Sequence, residues 1–189
     1  MPFGFGHDFD HEQLQALRNG GQAALALAYD RFAGPIYGLA LRVLANPDDA
    51  VDVVQEVFLK LPRAARRYRG DAPFGLWLRR LAVNATIDRL RERRRLVALD
   101  DAHNQLADES PPANVAEAQG LLDRLSPTAR LVLVLHAVEG YTHTEMAELF
   151  NQSESYSKSI LSRALKRLRE RVNIDETHDY KHESTLRTK

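Results

Sequence analysis

Three groups of residues have types and spacings that suit chemistry, and in each the chemistry is binding. Asp48, Asp49, Asp52 and Glu56, with Gln55 beside them, form an acidic run in which Asp52 and Glu56 are four apart and so share a helix face. That face suits a contact to a basic protein surface. The plainer alternative is an ordinary solvated face, and a metal site lacks a closing ligand. The second group is Arg66-Arg67-Tyr68-Arg69-Gly70-Asp71-Ala72-Pro73-Phe74, followed by Trp77. Aromatics interleaved with arginines fit unstacked bases, with rings for stacking and cations for the backbone. Trp77, at helical spacing from Leu81, reads as core. Polar residues at Asn84, Asp88 and Arg91 then share one face ahead of Arg93-Arg94-Arg95. In the third group Lys158, Ser159, Ser162 and Arg163 share a helix face, followed by Lys166, Arg167 and Arg169. Arg163 or Lys158 suits guanine O6 and N7, serine is permissive, and the later cations suit phosphates.

No catalytic group accompanies these clusters. The 189 residues include no cysteine, which removes disulfides, thiolate metal sites and thiol nucleophiles. His136 and His143 are seven apart across a helix break, a poor spacing for metal ligands. The sequence therefore predicts no catalytic residue, no metal and no cofactor, and a protein that is not an enzyme.

The charge pattern agrees with binding to polyanions. Formal net charge is zero, yet residues 60–95 carry twelve basic side chains against three acidic ones, and residues 158–171 carry six against one. Residues 96–123 hold six acids and neither Lys nor Arg. Two cationic surfaces joined by an acidic connector are expected from this segregation. No apolar run is long enough to span a bilayer, and the first residues have neither a basic stretch nor an apolar one, so the sequence reads as a soluble, cytoplasmic protein without membrane insertion.

The elements that must position these groups read as helices throughout, so the fold class is all-α: two small helical domains joined by a flexible acidic linker. The predicted organisation is an N-terminal bundle over 11–95, a linker over 96–117, a helix-turn-helix domain over 118–172 and a mobile polar tail over 173–189. Residues 11–45 have helical apolar spacing that Gly20-Gly21 and Pro35 are expected to break into two or three pieces. Asn46-Pro47-Asp48-Asp49 has the N-cap, first-turn proline and acids of a helix start. A further helix is expected from Phe74 to Arg95. In the second domain Ser126-Pro127 opens a helix over 127–139 that ends at Gly140. Thr142 and Glu145 form a capping box for a short helix over 143–150. Asn151 tolerates the left-handed turn that follows, and a long basic helix begins after Ser153, with Leu161, Ala164, Leu165 and Leu168 inward. This layout is that of a helix-turn-helix.

At these residues the chain resembles the bacterial RNA polymerase sigma factors, in the extracytoplasmic-function (ECF) group of the sigma-70 superfamily. The run from Asp49 to Leu59 resembles the group's D-A-x-D-x-x-Q-E-x-F signature, and Arg67 to Phe74, Trp77-Leu78, Asn84, Asp88 and Arg91 continue it. Leu125-Ser126-Pro127, Gly140-Tyr141-Thr142 and the run from Ser162 to Arg169 resemble the C-terminal DNA-binding domain. The resemblance implies that Asp49, Asp52, Gln55 and Glu56 dock on the β′ clamp of core polymerase. It implies that Arg67, Tyr68, Arg69, Phe74, Asn84, Asp88 and Arg91 engage the −10 element, the loop 68–74 taking a flipped base. Lys158, Ser159, Ser162, Arg163, Lys166 and Arg167 are implied to engage the −35 element. The implied partners are core polymerase (β′ clamp and β flap), promoter DNA and an anti-sigma factor. The chain departs from the pattern at Asn151, where the family commonly has glycine, at Ser157, commonly apolar, and at Ile160, commonly basic. The rival reading is a stand-alone helix-turn-helix regulator, which needs no polymerase contact and usually dimerises on paired half-sites.

Overall fold

The computed structural model describes residues 4–99 and 119–186; most of the predicted linker lies outside the described residues. Every regular element among the described residues is helical. The N-terminal module contains α1 (His11–Arg18), α2 (Gln22–Leu44), α3 (Pro47–Ala65) and α4 (Phe74–Leu99). The second module contains α5 (Pro127–Leu133), which continues into a π turn (Val134–Val138), then α6 (His143–Phe150) and α7 (Glu154–Leu186).

Local chemistry sets most boundaries. Asp10 caps α1 in a capping box with Gln13. The side chain of Asn46 accepts from the Asp49 N–H at the start of α3, and Thr142 does the same for Glu145 in α6, where the reciprocal bond is also made. Asn151 takes the left-handed conformation at φ 51° and turns α6 into α7.

Two expectations differ. Pro35 does not break the first helical stretch: the break falls at Asn19–Gly21, and α2 runs through the proline for 23 residues. Gly34 precedes it, and without a Cβ that residue avoids the clash that normally keeps a pre-proline residue out of the α region. The last helix, expected to end with its domain near 172, continues through the polar segment as far as Leu186. Residues 172–186 contain no proline or glycine to stop a helix.

α2 is the centre of the first module and packs on α1, α3 and α4. Phe32, Ile36, Leu39 and Val43 line its inner face, and Val53, Val57 and Leu61 of α3 and Leu78, Ala82 and Ile87 of α4 complete the core. The core continues into the second module through Leu131, Val132, Val134 and Leu135, because α5 lies against α2. The sequence carries no sign of this docking. It is fastened by polar contacts that span the two modules. Arg42 Nη2 is 3.1 Å from Glu139 Oε1, the Arg79 guanidinium donates to the Glu139 carbonyl, and it lies over the Tyr141 ring, 4.7 Å from the centroid. The π turn places Glu139 directly after it, and that residue is 1% exposed.

Candidate nucleic-acid interface

The acidic run sits on α3 and divides into two sets. Asp49 faces inward and is bound by Arg89 Nε at 2.7 Å and Arg93 Nη1 at 2.9 Å. Its hydrogen bond raises the Arg89 pKa, against the cost of burial. Asp52, Gln55 and Glu56 face outward. Asp52 Oδ2 still reaches Arg89 Nη2 at 2.5 Å, and Glu56 pairs with Lys60 one turn on. Flanking them are Val51 and Leu59, the latter 83% exposed. Leu59 escaped the sequence reading, although its spacing of four from Gln55 and eight from Val51 was sufficient to place it on that face.

The arginine and aromatic loop connects α3 to α4. Arg67 and Arg69 are exposed, but Tyr68 is only 8% exposed and Phe74 fully buried. The Tyr68 ring packs on Phe74 and Trp77, with centroids 5.7 and 5.1 Å away, and its hydroxyl donates to the Ala72 carbonyl at 2.5 Å. Burial raises its pKa. Trp77 is half-buried and packs against the core, as its spacing predicts, whereas Tyr68 and Phe74, which the resemblance implies engage the −10 element, are buried. On α4, Asn84, Asp88 and Arg91 are all exposed on one face, as their spacing of four and three requires.

A cleft of about 520 Å³ lies between this loop and α6. Its walls include Arg67, Arg69, Arg79 and Arg80 on one side and Tyr141, Glu145 and Glu148 on the other. The pKa of Glu145 is lowered mainly by the backbone N–H and the hydroxyl of Thr142, with help from Arg79 and Arg80 across the cleft.

In the second module α6, the turn and α7 form the helix-turn-helix. Lys158, Ser159, Ser162, Arg163, Lys166 and Arg167 are all exposed on α7. Ser159, Ser162, Arg163 and Lys166 recur at intervals of three and four and share one stripe. Lys158 is tied to Glu154 at 2.7 Å, and Arg163 Nε donates to the Ser159 carbonyl at 3.1 Å. Leu161 and Ala164 face inward, while Leu165 lies at the edge with 36% exposure. Ser157, in a place where an apolar residue is common, is 1% exposed. Its hydroxyl donates to the Glu154 carbonyl and meets His143 Nδ1 at 2.9 Å, which satisfies the polar group inside the motif. His143 stacks on His136 with centroids 4.7 Å apart, and burial followed by the His136 and Lys158 charges lowers its pKa. Among the described residues no group of His, Asp and Glu forms a metal site, and no helix is long and apolar enough to cross a membrane.

Comparison with known proteins matches the same two modules. The family profile described as Sigma-70 region 2 matches residues 28–96, and that of Sigma-70, region 4 matches residues 116–168. The chain is 32% identical over 170 residues to the ECF RNA polymerase sigma factor SigM of Mycobacterium tuberculosis, covering 88% of this chain and 86% of SigM. It is 30% identical over 167 residues to the RNA polymerase sigma factor CarQ of Myxococcus xanthus, covering 83% and 94%. Among solved structures it resembles CnrH in complex with the cytosolic domain of CnrY, with a TM-score of 0.55, 25% identity, and coverage of 88% and 98%. It shares the fold of the sigma factor RpoE solved with the anti-sigma factor NepR from Bartonella quintana, with a TM-score of 0.59, 22% identity, and coverage of 76% and 92%. With both regions matched in order and full-length relatives above the level at which descent is in question, the chain belongs to the ECF group of the sigma-70 family of RNA polymerase sigma factors.

Proposed function

We propose that the chain gives core RNA polymerase its choice of promoter, and does so as a dissociable binding subunit rather than as an enzyme. The observation that carries this reading is the presence of two exposed, differently built nucleic-acid faces on one chain. The stripe of Ser159, Ser162, Arg163 and Lys166 on α7 suits duplex DNA in the major groove at the −35 element. The Arg67 and Arg69 loop, with Asn84, Asp88 and Arg91 on α4, suits the strand opened at the −10 element. Unstacking a base costs a few kcal/mol, and an aromatic or cationic platform returns about 1–3 kcal/mol per base. Neither term alone opens a duplex, so the energy comes from binding to polymerase. For that contact the exposed part of α3 is our assignment: Asp52, Gln55 and Glu56 on the β′ clamp, with Val51 and Leu59 as apolar anchors. Asp49 then supports the face through Arg89 and Arg93. The β flap, promoter DNA and an anti-sigma factor complete the partners we infer, and the site of action is with polymerase in the cytoplasm.

Run-off transcription with purified host core polymerase tests the reading, using promoters mapped by sequencing transcript ends after overproduction. We expect initiation at a shared promoter pattern that depends on this chain. No initiation at any host promoter overturns it. The stand-alone regulator instead predicts operator binding unchanged by core polymerase.

A further inference from the structure

We propose that Asp8 and Arg18, both outside the part of the chain that matches sigma-70 region 2, are positioning residues for the loop between α3 and α4. The inference rests on the reading that this loop takes bases of the opened strand.

The loop is held at both ends, by side chains from the first 18 residues. At its end, α4 begins at Phe74 after Asp71-Ala72-Pro73, and a proline cannot cap a helix with its side chain. The cap comes from a distance: Asp8 Oδ1 accepts from the Phe74 N–H at 2.9 Å and from the Phe9 N–H at 2.9 Å. At the loop's start, Arg18 Nε donates to the Ala65 carbonyl at 3.1 Å and Arg18 Nη2 to the Tyr68 carbonyl at 2.8 Å. Arg66 returns the contact, its Nε donating to the Arg18 carbonyl at 3.0 Å. An acid thus sits at the N-terminus of α4 and a cation at the C-terminus of α3, each of the sign the helix dipole favours.

The segment that carries Asp8 is fixed. Phe5 and Phe9 are 1% and 5% exposed. Phe9 lies 4.7 Å from the Phe74 ring, and Phe74 in turn touches Tyr68 and Trp77, so aromatic packing runs from the N-terminal segment into the loop. Arg31 donates to the Asp8 carbonyl and covers the Phe9 ring. The backbone of the segment lies so close to α4 that a Cβ on Gly75 would come 2.1 Å from the Phe5 carbonyl oxygen and 2.7 Å from that of His7. Only glycine fits there, so the sequence of α4 is adapted to being strapped. Tyr68 and Phe74, too buried to stack on a base themselves, instead pack on Trp77, which remains partly accessible near the exposed Arg67 and Arg69.

The test uses the full chain and Trp77, its sole tryptophan, as a reporter on the loop. Variants D8A and R18A, their double variant and the conservative D8N are compared in three measurements: iodide quenching of Trp77, affinity of the polymerase-bound chain for a short A/T-rich single-stranded oligodeoxynucleotide, and affinity for core polymerase. We expect each alanine variant to weaken oligonucleotide binding about fivefold, the size of a lost cap, with faster quenching and core affinity unchanged. D8N keeps an acceptor oxygen and restores binding. Wild-type oligonucleotide affinity in the D8A/R18A double variant overturns the inference, and so does a loss that D8N shares or that extends equally to core polymerase. R67A/R69A separates this from the underlying reading. If that variant also binds the oligonucleotide as wild type, the loop is not the strand site and the reading of the loop fails. If it loses binding while D8A/R18A does not, only the positioning role fails.

Discussion

The carboxylates of this chain look alike in one dimension and differ in three, and their roles follow from burial. Asp49 has 11% of its side chain exposed and meets two guanidinium groups. Removing it leaves Arg89 and Arg93 without their main acceptor, so D49A is expected to cost about 2 kcal/mol in urea unfolding. D52A and E56A, on exposed pairs, are expected to change stability by less than about 0.5 kcal/mol while weakening capture of core polymerase in a pull-down titration. A D49A variant as stable as wild type contradicts the inward assignment. Glu139 differs again. Burial raises its pKa above the ordinary 4.5, against the pull of Arg42 and Arg79. Glu139 is buried where it meets Arg42 of α2 and Arg79 of α4 across the docked face, so the docked state is expected to bind the proton more readily than the separated one. Docking is then strongest on the acid side and weakens as pH rises through the raised value, with no further change above it. E139Q removes the titrating group, and its docking, followed by energy transfer between labels on the two modules, is expected to be flat over the same range. A pH dependence that E139Q leaves intact assigns it to another group.

Helices were the most legible level of this molecule, and the places where they were misread have local causes. The starts at Asn46, Ser126 and Thr142 carry caps whose chemistry acts within one turn, so a window of a few residues contains the whole signal. The end of α2 does not follow the usual chemistry: Ala45 takes the left-handed conformation at φ 50°, where glycine is the normal choice. A45G is therefore expected to stabilise the chain by about 0.5–1 kcal/mol, read as a higher urea midpoint with an unchanged slope. A lower midpoint excludes strain at this turn. Pro35 lies inside α2 although proline ordinarily ends a helix, because Gly34 before it has no Cβ to clash with the ring. The acidic run, the basic loop and the outward stripe of α7 could be read as faces from periodicity alone. What periodicity did not supply was depth. Tyr68 is buried by Phe74 and Trp77, and Asp8 reaches Phe74 across 66 positions. Contacts of that separation leave no mark on local spacing, so the N-terminal segment read as unassigned although it holds the loop.

At the scale of the whole molecule, docking conflicts with the task. The docked arrangement sets Glu145 and Glu148 of α6 across the cleft from Arg67, Arg69, Arg79 and Arg80, where carboxylates occupy the side from which a phosphate backbone would approach. The modules are therefore expected to separate when polymerase and promoter are bound, opening the contacts of Glu139 with Arg42 and Arg79. The absence of native cysteine allows a clean test. Labels on Q22C and R169C, both exposed positions, report the separation of the modules by energy transfer. High transfer is expected in the free chain and low transfer in the complex with core polymerase and promoter DNA. R42A/R79A strips Glu139 of its partners while leaving it buried, a situation that costs about 3–5 kcal/mol when a buried pair is broken. That variant is expected to show lowered transfer before polymerase is added. Because it no longer spends binding energy on opening, it should also associate more tightly with core polymerase. Transfer that stays high in the initiating complex would mean that the docked form is the working form, and would require the −35 contact to be made by something other than α7.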